Sequence, residues 1–162
     1  DIDELVQISR ITFMQTFADE NTPENMQKYL TESFSREKLA AEMATPASEF
    51  YFAVDENNVI GYLKLNLGQA QTELKDDHAV EIERIYVRKE HQGKNVGQML
   101  YNKAIQVARE KNAAYIWLGV WEENVKAIGF YKKNGFVEFD RHIFRLGDDE
   151  QTDIMMKRNL NE

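Results

Sequence analysis

The stretch from Glu81 to Phe136 limits what this chain can fold into more than any other. It reads strand, loop, helix, strand, helix. The strand pattern Glu81-Ile-Glu-Arg-Ile-Tyr-Val87 runs into His91-Gln-Gly-Lys-Asn-Val-Gly97, and a helix from about 96 to 111 follows. Then come a second strand, Tyr115-Ile-Trp-Leu-Gly-Val-Trp121, and the run Asn124-Val-Lys-Ala-Ile-Gly-Phe-Tyr-Lys-Lys-Asn-Gly-Phe136. A loop of small residues that opens a helix directly after a buried strand presents unpaired backbone N–H groups at the positive end of the helix dipole. That geometry suits a pyrophosphate.

The 162 residues suit one domain with a sizeable core, expected to span the whole chain, 1–162. A hydrophobic content of 43% with 11% aromatics indicates a folded chain. No apolar run approaches the roughly 20 residues that a membrane span needs, and no signal-peptide pattern is present. The chain has no cysteine, which excludes disulfides and cysteine nucleophiles and makes a reducing cytoplasm the natural compartment. His78, His91 and His142 lack zinc-ligand spacing, so no metal is expected. The net charge of −8 is uneven: residues 1–50 carry ten acids and four bases, residues 84–113 seven bases and two acids. Two readings of the basic segment stand side by side, a set of solvated helix faces and an anion site coincident with the loop. No basic stripe exists elsewhere, so nucleic acid is not an expected partner.

Residues 3–18 show helical spacing of Leu5, Ile8, Ile11, Thr12 and Phe13. Thr22 and Pro23 start a second helix ending near Leu30, and Ser35 caps a third that runs to about Met43. Glu49 to Val54 and Val59 to Leu67 form an antiparallel pair around a turn at 56–58. Residues 68–79 are a polar loop. The chain closes with a strand from Gly135 to Phe144, a turn at 147–150 and a strand from Thr152 to Lys157. This order gives an α/β fold: a mixed sheet with helices on both faces.

Glu81 and Glu83 alternate with Ile82, so both carboxylates point to one face, roughly 7 Å apart at Cα. Arg84 then projects to the other face and is a poor partner for them. A carboxylate buried in mid-sheet is costly unless it is paired or used. An ion pair with a neighbouring element and a chemical role are both open on this pattern. Tyr131 reads on spacing alone as a core aromatic beside Phe130. Asn124 reads as a helix N-cap. His91 is a loop residue and His142 a strand residue, neither with a chemical duty.

These segments resemble the GNAT superfamily of N-acetyltransferases, which binds acetyl-CoA. The family loop Gln/Arg-x-x-Gly-x-Gly/Ala is matched by Gln92-Gly93-Lys94-Asn95-Val96-Gly97 except at Asn95, where glycine is usual. Asparagine is the non-glycine residue that best tolerates positive φ, so the turn survives, with the Asn95 side chain crowding the phosphates. The second family motif, Asn-x-x-Ala-x-x-Phe-Tyr-x-x-x-Gly-Phe, is matched in full by Asn124, Ala127, Phe130, Tyr131, Gly135 and Phe136. The resemblance implies a central, mostly antiparallel sheet with a splayed parallel strand pair. It also implies a strand before the first helix, so a segment is expected to precede Asp1. Residues 92–98, including Gln98, would hold the pyrophosphate. The backbone of Ile85, Tyr86, Val87 and Arg88 would meet the pantetheine amides, Asn124 the pantetheine arm, and Lys133 the ribose phosphate. Glu83, in a Glu-x-x-Tyr-Val pattern, would be the general base, with Glu81 as second choice. Tyr131 would protonate the departing thiolate.

A base is needed because an alkyl amine of pKa near ~10.4 is only about one part in a thousand neutral near pH 7.4, and only the neutral nitrogen attacks a thioester. Freeing it costs on the order of 4 kcal/mol, and arginine is harder still, so a primary amine is the expected acceptor. The chain further resembles bacterial spermidine/spermine acetyltransferases of the PaiA type, through Thr22-Pro-Glu-Asn-Met26, Val80-Glu-Ile-Glu-Arg-Ile-Tyr86, Ile116-Trp-Leu-Gly-Val-Trp-Glu122 and Gly147-Asp-Asp-Glu-Gln-Thr-Asp153. The implied acceptor regions contain Asp19, Glu20, Glu24, Trp121, Glu122, Asp148, Asp149, Glu150 and Asp153, of which Glu20, Glu24, Trp121 and Asp149 are the candidate polyamine contacts. Solubility explains the same acids. Two other functions share the pattern, a peptide or protein N-terminal acetyltransferase and a non-catalytic CoA-binding module. A monomer and a homodimer are both compatible with it.

Overall fold

The computed structural model describes residues 2–18, 21–146 and 149–160. In chain order these form α1 (Ile2–Phe17), α2 (Pro23–Ser33), α3 (Arg36–Met43), β1 (Ser48–Asp55), β2 (Asn58–Leu67), β3 (Ala79–Val87), α4 (Val96–Glu110), β4 (Tyr115–Trp121), α5 (Val125–Lys133), β5 (Val137–Leu146) and β6 (Asp149–Asn159). The helix starts read from sequence are built as expected. Thr22 accepts a hydrogen bond from the N–H of Asn25 at 3.1 Å and Ser35 from that of Lys38 at 3.2 Å, and Pro23 occupies the first turn of α2. The first hairpin turns at Glu56 and Asn57, both with positive φ, between the paired residues Asp55 and Asn58.

Strands run longer than their apolar patterns suggested. β6 reaches Asn159 rather than Lys157, because ladder hydrogen bonds continue where side chains turn polar and exposed. The turn expected at 147–150 falls partly outside the described residues.

The strands form one six-stranded sheet in the order β1-β2-β3-β4-β6-β5. The β3–β4 pair is parallel and the others are antiparallel. The parallel ladder joins only Ala79–Ile82 to Tyr115–Leu118. Beyond Ile82 and Leu118 the two strands continue, to Val87 and Trp121, with no ladder between them. The sheet therefore opens at its centre into a V.

At the same level β3 carries a bulge. Lys64 pairs with Arg84 and Leu65 with Ile82, so Glu83 is the extra residue. Such a bulge bends its strand and raises the local twist. Gly61 holds β2 against the far end of β3: a Cβ there would lie 2.8 Å from the carbonyl oxygen of Tyr86.

Helices cover both faces. On one, Leu100, Ala104 and Val107 of α4, with Tyr131 and Phe136, pack on Leu63, Leu65, Val80, Ile82, Ile116, Leu118, Ile154 and Met156. On the other, Leu5, Ile8, Phe13 and Phe17 of α1, Met26 and Leu30 of α2, Phe34, and Leu39 of α3 pack on Tyr62 and Trp121. Loop 68–78 folds over the rest of that face, where Gln71 accepts a hydrogen bond from the Trp117 indole at 2.7 Å above a small cluster of Ala79, Trp117 and Met155.

Candidate active site

The bulge decides the electrostatics at the fork of the V. Because Glu83 is an inserted residue, strict alternation fails there, and Arg84 comes round to the same side as the two carboxylates. This corrects the expectation that Arg84 projects away. Its Nη2 lies 3.1 Å from Glu83 Oε2 and its Nη1 2.9 Å from Glu42 Oε1. Lys64, itself buried, bridges the same two acids, at 2.7 Å from Glu83 and 2.9 Å from Glu42. The Arg84 guanidinium also lies over the Phe34 ring, 5.0 Å from its centroid.

Glu83 thus sits in a two-acid, two-base network tied to α3 through Glu42. Burial works against its charge, but Arg84 and Lys64, with hydrogen bonds from Lys64 and Asn66, outweigh burial and hold its carboxyl below the ordinary value. Glu81 is only 3% exposed. It accepts hydrogen bonds from Asn66 Nδ2 at 3.0 Å, the Thr72 N–H at 2.8 Å and the Thr72 hydroxyl at 2.6 Å. Burial nonetheless pushes its carboxyl up against these bonds. Asn66 also donates to Glu83 at 2.8 Å, so one amide spans both carboxylates, and they do share a face.

On α5, the helix that follows β4, Tyr131 is buried between Phe130 and Phe136, with ring centroids 5.5 and 5.6 Å away. Burial, then the nearby Tyr101, drives its hydroxyl pKa well above the ordinary value, so it stays protonated at neutral pH. Among the described residues its hydroxyl has no hydrogen-bond partner, and its electrostatic influence reaches Tyr86 across the opening. Asn124 caps α5, accepting from the N–H of Ala127 at 3.3 Å.

The loop before α4 has the geometry an anion requires. Gly93 and Asn95 both have positive φ, +81° and +67°, so asparagine does fill the glycine position of the turn. No side chain caps α4, which leaves its first-turn N–H groups free of side-chain partners. A Cβ at Gly93 would meet nothing within 4 Å, and one at Gly97 only Val87 Cγ2 at 4.0 Å. Gln92 folds back to donate to the Val87 carbonyl at 3.2 Å, Gln98 donates to Asn102 at 3.0 Å, and Lys94 is exposed beside Val96. The edge of β3 from Ile85 through Val87 that faces β4 has no ladder partner, and Arg88 follows it with Nε 3.3 Å from Glu90. These features fit a CoA-like ligand lying in the V with its pyrophosphate at α4. Lys133 is exposed at the last turn of α5.

On the α1–α3 side, the Trp121 ring packs on Phe17 at 5.1 Å and its indole donates to Gln151 at 2.8 Å. Glu24 is exposed on the first turn of α2, and α2 comes against β5. Glu20, with Asp19 and Asp148, lies outside the described residues, as does the side chain of Asp149.

Two groups, Lys64 and Asn66, escaped the sequence reading, and a third, Asp153, stood there only among the acids of the implied acceptor regions. Lys64 and Asn66 carried a signal, as polar residues inside the otherwise apolar run of β2. Asp153 carried less, because the opposing strands of the sheet, far off in sequence, create its setting. His142 is not idle either. Its Nδ1 lies 2.9 Å from Glu73 Oε1, tying β5 to loop 68–78, and the ring faces Asp153 across the β5–β6 pair.

A family model described as the acetyltransferase (GNAT) family matches residues 9–136. An uncharacterized N-acetyltransferase in the pepI 3′ region of Lactobacillus delbrueckii subsp. lactis is 45% identical over 160 residues, 99% of this chain and 92% of that protein. The spermidine N(1)-acetyltransferase of Thermoplasma acidophilum is 25% identical over 162 residues, 98% of this chain and 91% of that protein. In fold, the chain matches the crystal structure of the PaiA N-acetyltransferase from Thermoplasma acidophilum in complex with coenzyme A, with a TM-score of 0.80 at 23% identity, covering 99% of this chain and 93% of that one.

Proposed function

The chain belongs to the GNAT family of acetyltransferases, and from that premise we propose that it moves the acetyl group of acetyl-CoA directly to a primary amine, with a polyamine such as spermidine or spermine as the preferred acceptor. The observation that carries this reading is the V between β3 and β4, which has the uncapped start of α4 at one end and the carboxylates of Glu83 and Asp153 by its fork. The spermidine N(1)-acetyltransferase relative supports the polyamine.

In this reading the backbone of residues 92–98 holds the pyrophosphate, Ile85–Arg88 and Asn124 hold the pantetheine, and Lys133 reaches the ribose phosphate. Acetyl-CoA supplies a thioester, whose carbonyl carbon the amine attacks. Glu83 stays ionised between Lys64 and Arg84, attracts the ammonium group and orients the water through which a proton leaves. Glu81 fixes Asn66, and through it Glu83. Tyr131 offers its hydroxyl to the departing sulfur; because a free thiol already has a pKa near ~8.5, this help is modest.

The test is an amine panel with acetyl-CoA, following CoA release. Spermidine and spermine are expected to give the highest kcat/KM. Good turnover of peptides with free N-termini, with polyamines ignored, would overturn the polyamine and keep the acetyl transfer. No release with any amine would overturn both.

A further inference from the structure

We propose that Asp153 is the proton acceptor for the amine substrate of this site. The inference rests on the acetyl-transfer reading above and adds to it the group that takes up the proton.

Asp153 lies on β6, paired with Trp121 of β4 on one side and His142 of β5 on the other. Its carboxylate sits close over Gly119: a Cβ at Gly119 would lie 3.3 Å from Asp153 Oδ2, a tight contact. Gly119 is the first residue of β4 beyond the parallel ladder, so the carboxylate stands at the fork of the V. Among the described residues Asp153 accepts no hydrogen bond and makes no ion pair. Glu81 and Glu83, by contrast, are engaged by Asn66 and Thr72 and by Asn66, Lys64 and Arg84 respectively. A half-buried carboxylate without a partner costs free energy, and a bound ammonium group offsets that cost.

Among the described residues the charged and titratable groups around it are few. His142 faces it from β5, with Glu73 of loop 68–78 attached; Tyr29 of α2 senses both Asp153 and Glu83; β4 offers only Gly119 and Trp121. Burial raises the Asp153 carboxyl to about 6, with His142 pulling it slightly back. Such a group is ionised at neutral pH yet is a stronger base than an ordinary aspartate.

The step balances as follows. The ammonium R–NH3+ gives one proton to Asp153 and becomes the free amine. Its nitrogen forms the C–N bond to the acetyl carbon as the C–S bond breaks. The second nitrogen proton is lost as the amide forms, and the thiolate takes up one proton. Ammonium plus thioester gives amide plus thiol, and one proton passes from Asp153 to solvent.

Asp153→Asn, assayed with spermidine from pH 5 to 9.5, is expected to lose about a hundredfold in kcat at pH 7.5, to recover towards pH 9.5 where free amine is plentiful, and to lose the acid limb near pH 6. His142→Gln is expected to keep that limb, which separates the aspartate from the histidine. Should Asp153→Asn fail to fold, Gly119→Ala, which crowds Oδ2, is expected to lower kcat in the same direction. Binding without acetyl-CoA gives a second readout. Spermidine titrated calorimetrically at pH 6 in buffers of different ionisation enthalpy is expected to release roughly half a proton from the wild type and none from Asp153→Asn. Full turnover in Asp153→Asn with the acid limb intact, or equal proton release from both proteins, overturns Asp153 alone. Failure of the wild type to acetylate any amine overturns the functional reading, and Asp153 with it.

Discussion

The three carboxylates Glu81, Glu83 and Asp153 lie on one face of the sheet, yet their surroundings push them apart. Two cations hold Glu83 ionised, while burial raises Glu81 and Asp153. Groups with divergent pKa values divide the work of binding charge and moving protons. Glu83→Gln is therefore expected to lower kcat most near neutral pH, with partial recovery at high pH, while leaving the acid limb near 6 in place. A pH profile identical to wild type would remove Glu83 from the chemistry. Stability gives an independent handle on Asp153. Its raised pKa means that the folded state keeps a proton that the unfolded chain has already released, so stability falls as pH rises from about 4 to 6. Asp153→Asn removes that cost. It is expected to match wild type near pH 4 and to be more stable at pH 7, by about 1–2 kcal/mol once partial exposure is allowed for. Urea unfolding at the two pH values checks this, and a loss of stability at pH 7 would mean the carboxylate has a stabilising partner.

Between elements, the site is made where two strands stop pairing. α4 starts after the loop 88–95 that follows β3, so a pyrophosphate at its N-terminus is expected to depend on close approach at Gly97. Gly97→Glu places a negative charge at that helix start and is expected to weaken acetyl-CoA binding at least tenfold by calorimetry, about 1.4 kcal/mol. Unchanged affinity would move the phosphates elsewhere. Asn95→Gly, which keeps the positive φ, is expected to be tolerated. Much of this level was legible in the sequence. The helix starts at Thr22 and Ser35, the Asn95 turn and the order of strands follow from local chemistry, which acts over a few residues. The bulge at Glu83 was not legible, because it is a property of the β2–β3 register and nothing in Glu-Ile-Glu-Arg marks which residue is inserted. One inserted residue carried Arg84 to the other face, and with it the electrostatic setting of Glu83.

Across the whole molecule, contacts distant in sequence set what local patterns could not. Asp153 owes its environment to Gly119 and His142, and His142 owes its contact with Glu73 to loop 68–78, so no window of the chain contained the whole site. Charge distribution, by contrast, is a bulk property and was readable directly: an overall −8 with seven basic residues against two acids over residues 84–113. In the polyamine reading, Glu24, with Glu83 and Asp153 at the fork, meets the acceptor. A flexible polycation drawn by exposed charges is attracted over distances that salt screens, beyond roughly 10 Å at 0.1 M ionic strength. The Michaelis constant for spermidine is therefore expected to rise severalfold between 0.05 and 0.5 M salt, on the order of a few contacts' worth of screening, while kcat falls less. Glu24→Gln together with Glu20→Gln and Asp149→Asn is expected to raise the Michaelis constant at low salt and flatten its salt dependence, and a monoamine should show little of either effect. A Michaelis constant for spermidine that is indifferent to salt would detach these acids from the acceptor and leave the acetyl transfer standing without its polyamine.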